Sequence, residues 1–356
     1  MGLEDGKMKG FFPWPVWREV RIAAPGVDFV SSARVAAGEK VDRVYLWGHQ
    51  DDGYNAWARE IAARDGAEIV LCEDGFIKSA DTWANSAAFL RYRRGCSVIY
   101  DTKGFYFDGT RTNQLEEMLN DPALEVTDAE RAEARRLMDR ILREQVTKYN
   151  HQSREPLHVG RDGRRKVLVV DQSYGDASIA LGCADERTFA RMLADAVREN
   201  PDADILVKTH PDTMTGTRKG YYSQLKEGDN VFKVTAPVNP YVLMASVDTV
   251  YVCTTQLGFE ALMAGKRVKV YGLPFYAGWG VTEDAQTCPR RTRKRTLEEL
   301  FHIFYLRYTH WVDPVRQRPC TLDEAIDRIL SLRREYRWAK HLFWLRKLAV
   351  RVGSRE

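Results

Sequence analysis

The chain has 356 residues, enough for one large domain or two ordinary ones, each with a real core. Its 44% hydrophobic and 29% charged residues describe an ordinary folded protein rather than a disordered or fibrous one. No apolar run reaches the roughly 18 residues of a membrane helix, and the charged start MGLEDGKMKG lacks a signal-peptide core, so a cytoplasmic location is expected. The net charge of +4 is uneven: residues 289–356 hold 17 Lys+Arg against 8 Asp+Glu, a local +9 that leaves −5 on the rest. A basic end fits a solvated helical face or an anionic partner such as lipid headgroups, an acidic glycan or nucleic acid. The six cysteines are scattered without a CxxC pair and read as reduced, mostly buried thiols.

In chain order, RVYLWG (43–48) and AEIVLC (67–72) read as buried strands separated by a polar helical segment. EDGFIKS follows the second, so Glu73 and Asp74 stand at a strand end with Gly75 allowing a tight turn. They are either turn acids or, if one faces a ligand, a general base. TDAERAEARRLMDRILREQV opens with Thr127 and Glu130 at capping-box spacing and carries Leu137, Met138, Ile141 and Leu142 on one stripe. The polar, aperiodic NHQSREPLHVGRDGRR (150–165) reads as a linker.

A second series of strands follows: KVLVVD (166–171), DILVK (204–208), TVYVC (249–253) and RVKVYG (267–272). DERTFARMLADAVREN lies between the first two as an amphipathic helix. Strands alternating with helices predict βαβ units and parallel sheets, hence two α/β domains whose ligand sites lie at the strand ends.

Polar residues gather at those ends. Gln172, Ser173, Asp176 and Ser178 follow KVLVVD on a loop that includes Gly175. The acid there is a helix cap, a metal ligand or a nucleophile. Lys208 and His210 flank a turn fixed by Pro211 and point to the same side of an extended segment, an arrangement that suits a phosphate. Thr254 and Thr255 stand where a helix begins and Gly265 where it stops, with Gln256 and Glu260 inside. The seven histidines are dispersed, and there is neither a Walker loop nor a GxGxxG after a strand, which argues against metal, ATP and NAD chemistry. The last stretch, LSLRREYRWAKHLFWLRKLAVRV, is a basic helix with Trp338, Leu342, Leu345 and Leu348 on one face, suited to packing or to a membrane surface.

Together, EDGFIKS, VDQSYGDASI, VKTHPD, TTQLGFEALMAGKRVKVYGLPFYAGWGVTED and RRTRKRTLEELFHIFYLRYTHWVDP resemble the bacterial capsule polysaccharide biosynthesis family of the KpsC type, retaining β-Kdo glycosyltransferases. The motifs run in family order from about residue 43 to 330. TTQ stands where many members have TSQ, which keeps the hydroxyl. The full-length type carries two transferase modules, and this chain has room for one, which leaves the linkage, 2→4 or 2→7, open.

The resemblance implies a GT-B fold: two Rossmann-like domains facing a central cleft, an acceptor domain over 1–155, a donor domain over 160–330, and a C-terminal helix over 331–356 that packs back across them. It implies CMP-β-Kdo as donor and a Kdo-terminated, phosphatidylglycerol-based lipid as acceptor in poly-Kdo linker synthesis, at the inner face of the cytoplasmic membrane. No metal, cofactor or nucleic acid is expected. Asp176 matches the nucleophile of a double displacement, and Glu73 an acid on the acceptor side. His210, with Pro211, matches the residue on the CMP phosphate. Lys208, Gln172, Ser178, Thr254, Thr255, Gln256 and Glu260 complete the donor site. Gly272, Tyr276, Gly278 and Trp279, with Phe275, are expected to shape the donor pocket at the lip of the cleft. Arg290, Arg291 and Arg293 of RRTRKR are expected to hold the anionic acceptor or the membrane. Another CMP-sugar transferase of sialyltransferase type and a non-catalytic capsule-assembly module are the alternatives.

Overall fold

The computed structural model describes residues 7–14, 18–49, 52–82, 92–209 and 219–353, with side chains up to residue 342. Among them, the strands form two sheets. The first contains β1 (Lys9–Phe11), β2 (Asp28–Phe29), β3 (Arg43–Trp47), β4 (Glu68–Asp74) and β5 (Ser97–Asp101). The second contains β6 (Arg165–Val170), β7 (Ala203–Lys208), β8 (Val231–Val234), β9 (Thr249–Val252), β10 (Arg267–Val270) and β11 (Glu283–Asp284). The chain then returns to the first sheet with β12 (Thr309–Asp313) and β13 (Arg318–Pro319).

The second sheet is parallel throughout, in the order β11-β10-β9-β6-β7-β8. β7 and β9 are buried along their whole length, as strands covered by helices on both faces must be. The helix Glu186–Glu199 covers one face through Phe189, Met192 and Ala196, and its start is fixed by a reciprocal Asp185–Thr188 capping box. The Thr127–Glu130 box forms too: Glu130 N–H donates to Thr127 Oγ1 at 3.3 Å and Thr127 N–H to Glu130 Oε2 at 2.8 Å.

The first sheet is mixed, in the order β13-β12-β5-β4-β3-β1-β2. β5 runs antiparallel to β4, and β12 pairs antiparallel with β5 through Thr309–Ile99, His310–Val98 and Trp311–Ser97. A second domain reaching 330 would therefore take in two strands that belong to the first sheet. A lone strand's sequence carries no mark of the edge that it joins; here the free edge of β5 decides. The last helix also begins earlier than residue 331, spanning Leu322–Gly353. Leu322, Ala325, Ile326, Ile329, Leu332 and Tyr336 bury their side chains, and Asp323 pairs with Arg136 and Arg140 of the helix Asp128–Glu144.

A candidate active site at the strand ends

In the second sheet the chain leaves in opposite directions from the neighbouring strands β6 and β9, and the crevice beyond their carboxyl ends is where such sheets take ligands. The two exits are locked together. Thr254 N–H donates to Gln172 Oε1 at 3.0 Å, and Gln172 Nε2 donates to Thr254 Oγ1 at 2.9 Å. The Ser178 hydroxyl stands 3.4 Å from the Thr254 hydroxyl. Asp176 caps the short helix Ala177–Leu181: Ser178 donates to Asp176 Oδ1 from its N–H at 2.9 Å and from its hydroxyl at 2.7 Å. Gly175 takes φ +76, a left-handed conformation that a side chain would resist, and so turns the loop. Asp176 lines an open cavity of about 940 Å³ with Tyr174, Tyr221, Arg187 and, from the first half of the chain, His49.

Beside this lies a cavity of about 130 Å³ lined by Thr147, Lys148, Gln152, Asp171, Lys208, Thr255, Gln256 and Glu260, among others. Lys208, at the end of β7, is buried, and among the described residues its Nζ has no hydrogen-bond partner. Burial lowers its pKa to about 8, against the attraction of Glu260. Burial likewise raises Glu260 to about 7, opposed by hydrogen bonds from Thr147 and Gln256 and by the charges of Lys148 and Lys208. Gln256 Nε2 bridges the halves, donating to Phe76 O at 2.6 Å and to Glu260 Oε1 at 3.1 Å.

Glu73 arrives from the other sheet, at the end of β4. Burial, and then repulsion from Asp74, raise it to about 7, while Lys148 pulls the other way. Asp74 itself is paired with Lys78. Tyr106 packs its ring against Phe76, Phe275 and Phe304. Burial raises its hydroxyl's pKa, Lys148 opposes, and Glu73, Asp74 and Asp176 all raise it further.

Comparison with known proteins fits this arrangement. A family model described as capsule polysaccharide biosynthesis protein matches residues 156–312. The capsule polysaccharide modification protein LipA of Neisseria meningitidis serogroup B is 36% identical over 311 residues, 84% of this chain and 42% of LipA. The lipopolysaccharide-processing protein LpsZ of Rhizobium meliloti is 36% identical over 71% of this chain and 57% of its own length. The chain thus spans about half the length of these curated relatives. Among solved structures, the β-Kdo 2,4 transferase of Thermosulfurimonas dismutans KpsC superimposes with a TM-score of 0.78 and 32% identity, over 91% of this chain and 98% of that one. The β-Kdo 2,7 transferase of the same KpsC gives 0.62 and 26%, over 91% and 99%. The chain belongs to the KpsC-type capsule polysaccharide biosynthesis family.

Within that family frame, several expected site residues take other places. Tyr276 and Trp279 do not line a pocket, because both are 0% exposed, and Phe275 is 3% exposed. Phe275 stacks on Phe304 at 4.2 Å, and Trp279 Nε1 donates to Phe275 O at 2.7 Å. Rings of this size gain most by leaving water altogether. Tyr276 still bears on the site, since its hydroxyl donates to Thr255 O at 2.6 Å and its ring fills the space where Gly258 has no side chain. Gly272 is a packing residue: a Cβ there would come within 2.7 Å of Thr254 Cγ2 and 2.9 Å of Gly182 O. Gly278, at φ +83, points its N–H to Asp284 Oδ2 at 2.9 Å.

The arginines expected to meet an acceptor or a membrane are engaged by the protein's own groups, and Arg291 is buried. Arg290 and Arg291 both pair with Glu116 of the helix Gln114–Asn120. Arg291 also donates to Pro274 O and Ala277 O, and Arg293 to Asp121 O. A buried Glu116 carboxylate requires cations, and these are the ones within reach. His210 and Pro211 lie outside the described residues.

Sequence reasoning missed Asp171, Lys148, Thr147 and Tyr106. Asp171 accepts N–H bonds from Gln172 and Tyr221, both at 2.9 Å, so it anchors the segment around Tyr221 to β6. Burial, opposed by the backbone donors of Tyr222, Gln172 and Tyr221, raises it to about 6. Its place as the last letter of VVD was a readable signal. The other three follow no strand and match no motif.

Proposed function

We propose that the chain is a β-Kdo glycosyltransferase module of GT-B type, which moves Kdo from CMP-β-Kdo to a Kdo-terminated glycolipid with retention of configuration. The observation that carries this reading is the locked pair of strand exits at Gln172 and Thr254, with Ser178 holding the Asp176 carboxylate against them, near a pocket in which buried Lys208 has no hydrogen-bond partner among the described residues. Family membership and the likeness to two Kdo transferases support it.

In the first step an Asp176 carboxylate oxygen attacks the anomeric carbon. The bond from that carbon to the phosphate oxygen breaks, and its electron pair leaves with CMP. Lys208 meets the charge that grows on the departing phosphate, with the hydroxyls of Thr254 and Thr255 as further donors, and His210 is assigned to the same phosphate. In this reading the charge is met without a metal. Ser178 holds the Asp176 carboxylate in its orientation through two donors. In the second step Glu73 takes the proton of an acceptor hydroxyl, whose oxygen attacks the same carbon and displaces Asp176. A carboxylate with a pKa of about 7 is suited to that proton transfer near neutral pH.

The closer likeness to the 2,4 transferase supports a 2→4 linkage. The site of action in this reading is the inner face of the cytoplasmic membrane. Incubation with CMP-Kdo and synthetic Kdo acceptors, followed by NMR of the product, tests donor and linkage together. CMP release with no transferred Kdo, or no reaction at all, would overturn the proposal.

A further inference from the structure

The linker and the last helix enclose a cavity that none of the transfer chemistry uses. It measures about 660 Å³ and is lined by Arg154, Arg333, Arg337 and Lys340, with Glu155 as the only acidic side chain among the described lining residues. Arg333, Arg337 and Lys340 are spaced so that they share one helix face. Arg333 is 9% exposed and is held by the carbonyl of Glu144 at 3.0 Å. Arg154, Arg337 and Lys340 have no ion pair among the described residues. Two large apolar side chains on the same helix, Trp338 and Leu342, are 69% and 55% exposed and stand one turn apart. Gln152 lines both this cavity and the smaller pocket that holds Lys208, so the two are neighbours.

We propose that this cavity receives the phosphate of an anionic phospholipid headgroup, with Trp338 and Leu342 resting on the bilayer surface beside it. A buried guanidinium in a like-charged group gains from a planar, multiply accepting anion, and phosphate fits that need. The crowding is already felt. Burial lowers the Arg333 pKa to about 10, and Arg154 lowers it further, with Glu144 opposing and Arg337 and Arg334 adding to the effect. A basic strip flanked by an exposed tryptophan and leucine is the profile of a helix that lies at a membrane interface rather than across it. No helix among the described residues is long and apolar enough to cross a membrane. The inference stands apart from the transferase reading, because it concerns binding alone.

The test is sedimentation of the full chain with phosphatidylcholine vesicles, with and without phosphatidylglycerol. The wild type should bind only the anionic vesicles. Arg154→Glu/Arg337→Glu should bind them at least roughly 30-fold more weakly, since each basic side chain near such a surface is worth about fivefold in partitioning. Trp338→Ala/Leu342→Ala should weaken the same binding. Both arginines are exposed and unpaired among the described residues, so the melting curve should not move; if the double variant fails to fold, Lys340→Glu alone should show roughly the fivefold loss. Equal binding of wild type and charge variants, or equal binding to neutral vesicles, would overturn the proposal. Glycerol phosphate that raises the melting temperature of the wild type but not of the charge variant, with no vesicle binding, would assign the cavity to a soluble phosphate and overturn the lipid source.

Discussion

Arg291 and Glu116 form an ion pair, Nε to Oε2 at 3.1 Å, whose side chains are only 2% and 3% exposed. It ties the segment after β11 to the helix Gln114–Asn120. Removing one partner leaves the other charged and dry. Glu116→Ala should therefore cost about 3–5 kcal/mol of stability in urea unfolding. A loss below about 1 kcal/mol would mean that water reaches the pair.

Asp176 is both the proposed nucleophile and a helix cap, and the two roles separate by substitution. Asn caps as well as Asp does, so Asp176→Asn should melt like the wild type. Its rate of Kdo transfer should nevertheless fall by roughly 10⁴ or more. Mass spectrometry of a slowed second-step variant, Glu73→Gln, should show a Kdo adduct on Asp176. Ordinary turnover by Asp176→Asn would end the double-displacement assignment.

The pH profile of kcat/KM should lose its acid side when Glu73 is changed. In the wild type, activity should rise through about pH 7 as the Glu73 carboxyl, raised by burial and Asp74, gives up its proton. Glu73→Gln should be slow and should show no such limb.

Glu260 makes a separate prediction about stability. Its folded pKa, about 7, lies above its unfolded value of 4.5, so the folded state binds the proton more tightly. The stability gained in this way is fully present below pH 4.5 and is lost as pH rises through 7, with a slope of up to about 1.4 kcal/mol per pH unit. Denaturant titrations of Glu260→Gln between those limits should show a flatter dependence than the wild type. Parallel curves would show that Glu260 ionises freely in the folded protein.

Gly258 and Tyr276 should be coupled. A Cβ at Gly258 would stand 2.1 Å from the Tyr276 hydroxyl oxygen. Gly258→Ala should cost about 1–3 kcal/mol through overpacking, and Tyr276→Phe about 1 kcal/mol for the lost bond to Thr255 O. The double variant should cost less than the sum, because removal of the hydroxyl also makes room. Strict additivity in chemical unfolding would mean that the backbone, not the ring, relieves the clash.

By itself the sequence determined what depends on near neighbours. The buried runs at 166–171 and 204–208 are strands because β-branched and apolar residues follow one another there, and the Thr127–Glu130 box starts a helix because donor and acceptor lie three residues apart. The polar groups at strand ends were legible for the same reason, as Gln172, Asp176, Lys208 and Thr254 each follow a readable strand. Only the tertiary structure decided what meets what. Thr147 reaches Glu260 across 113 residues, and Gln256 reaches Phe76 across 180. No local pattern records such pairs, because they form only when two sheets close on a shared core. The same closure drew Tyr276, Trp279 and Arg291 inside. Their composition suits a pocket lip and a buried joint equally, and the free energy of removing large rings and paired charges from water chose the joint.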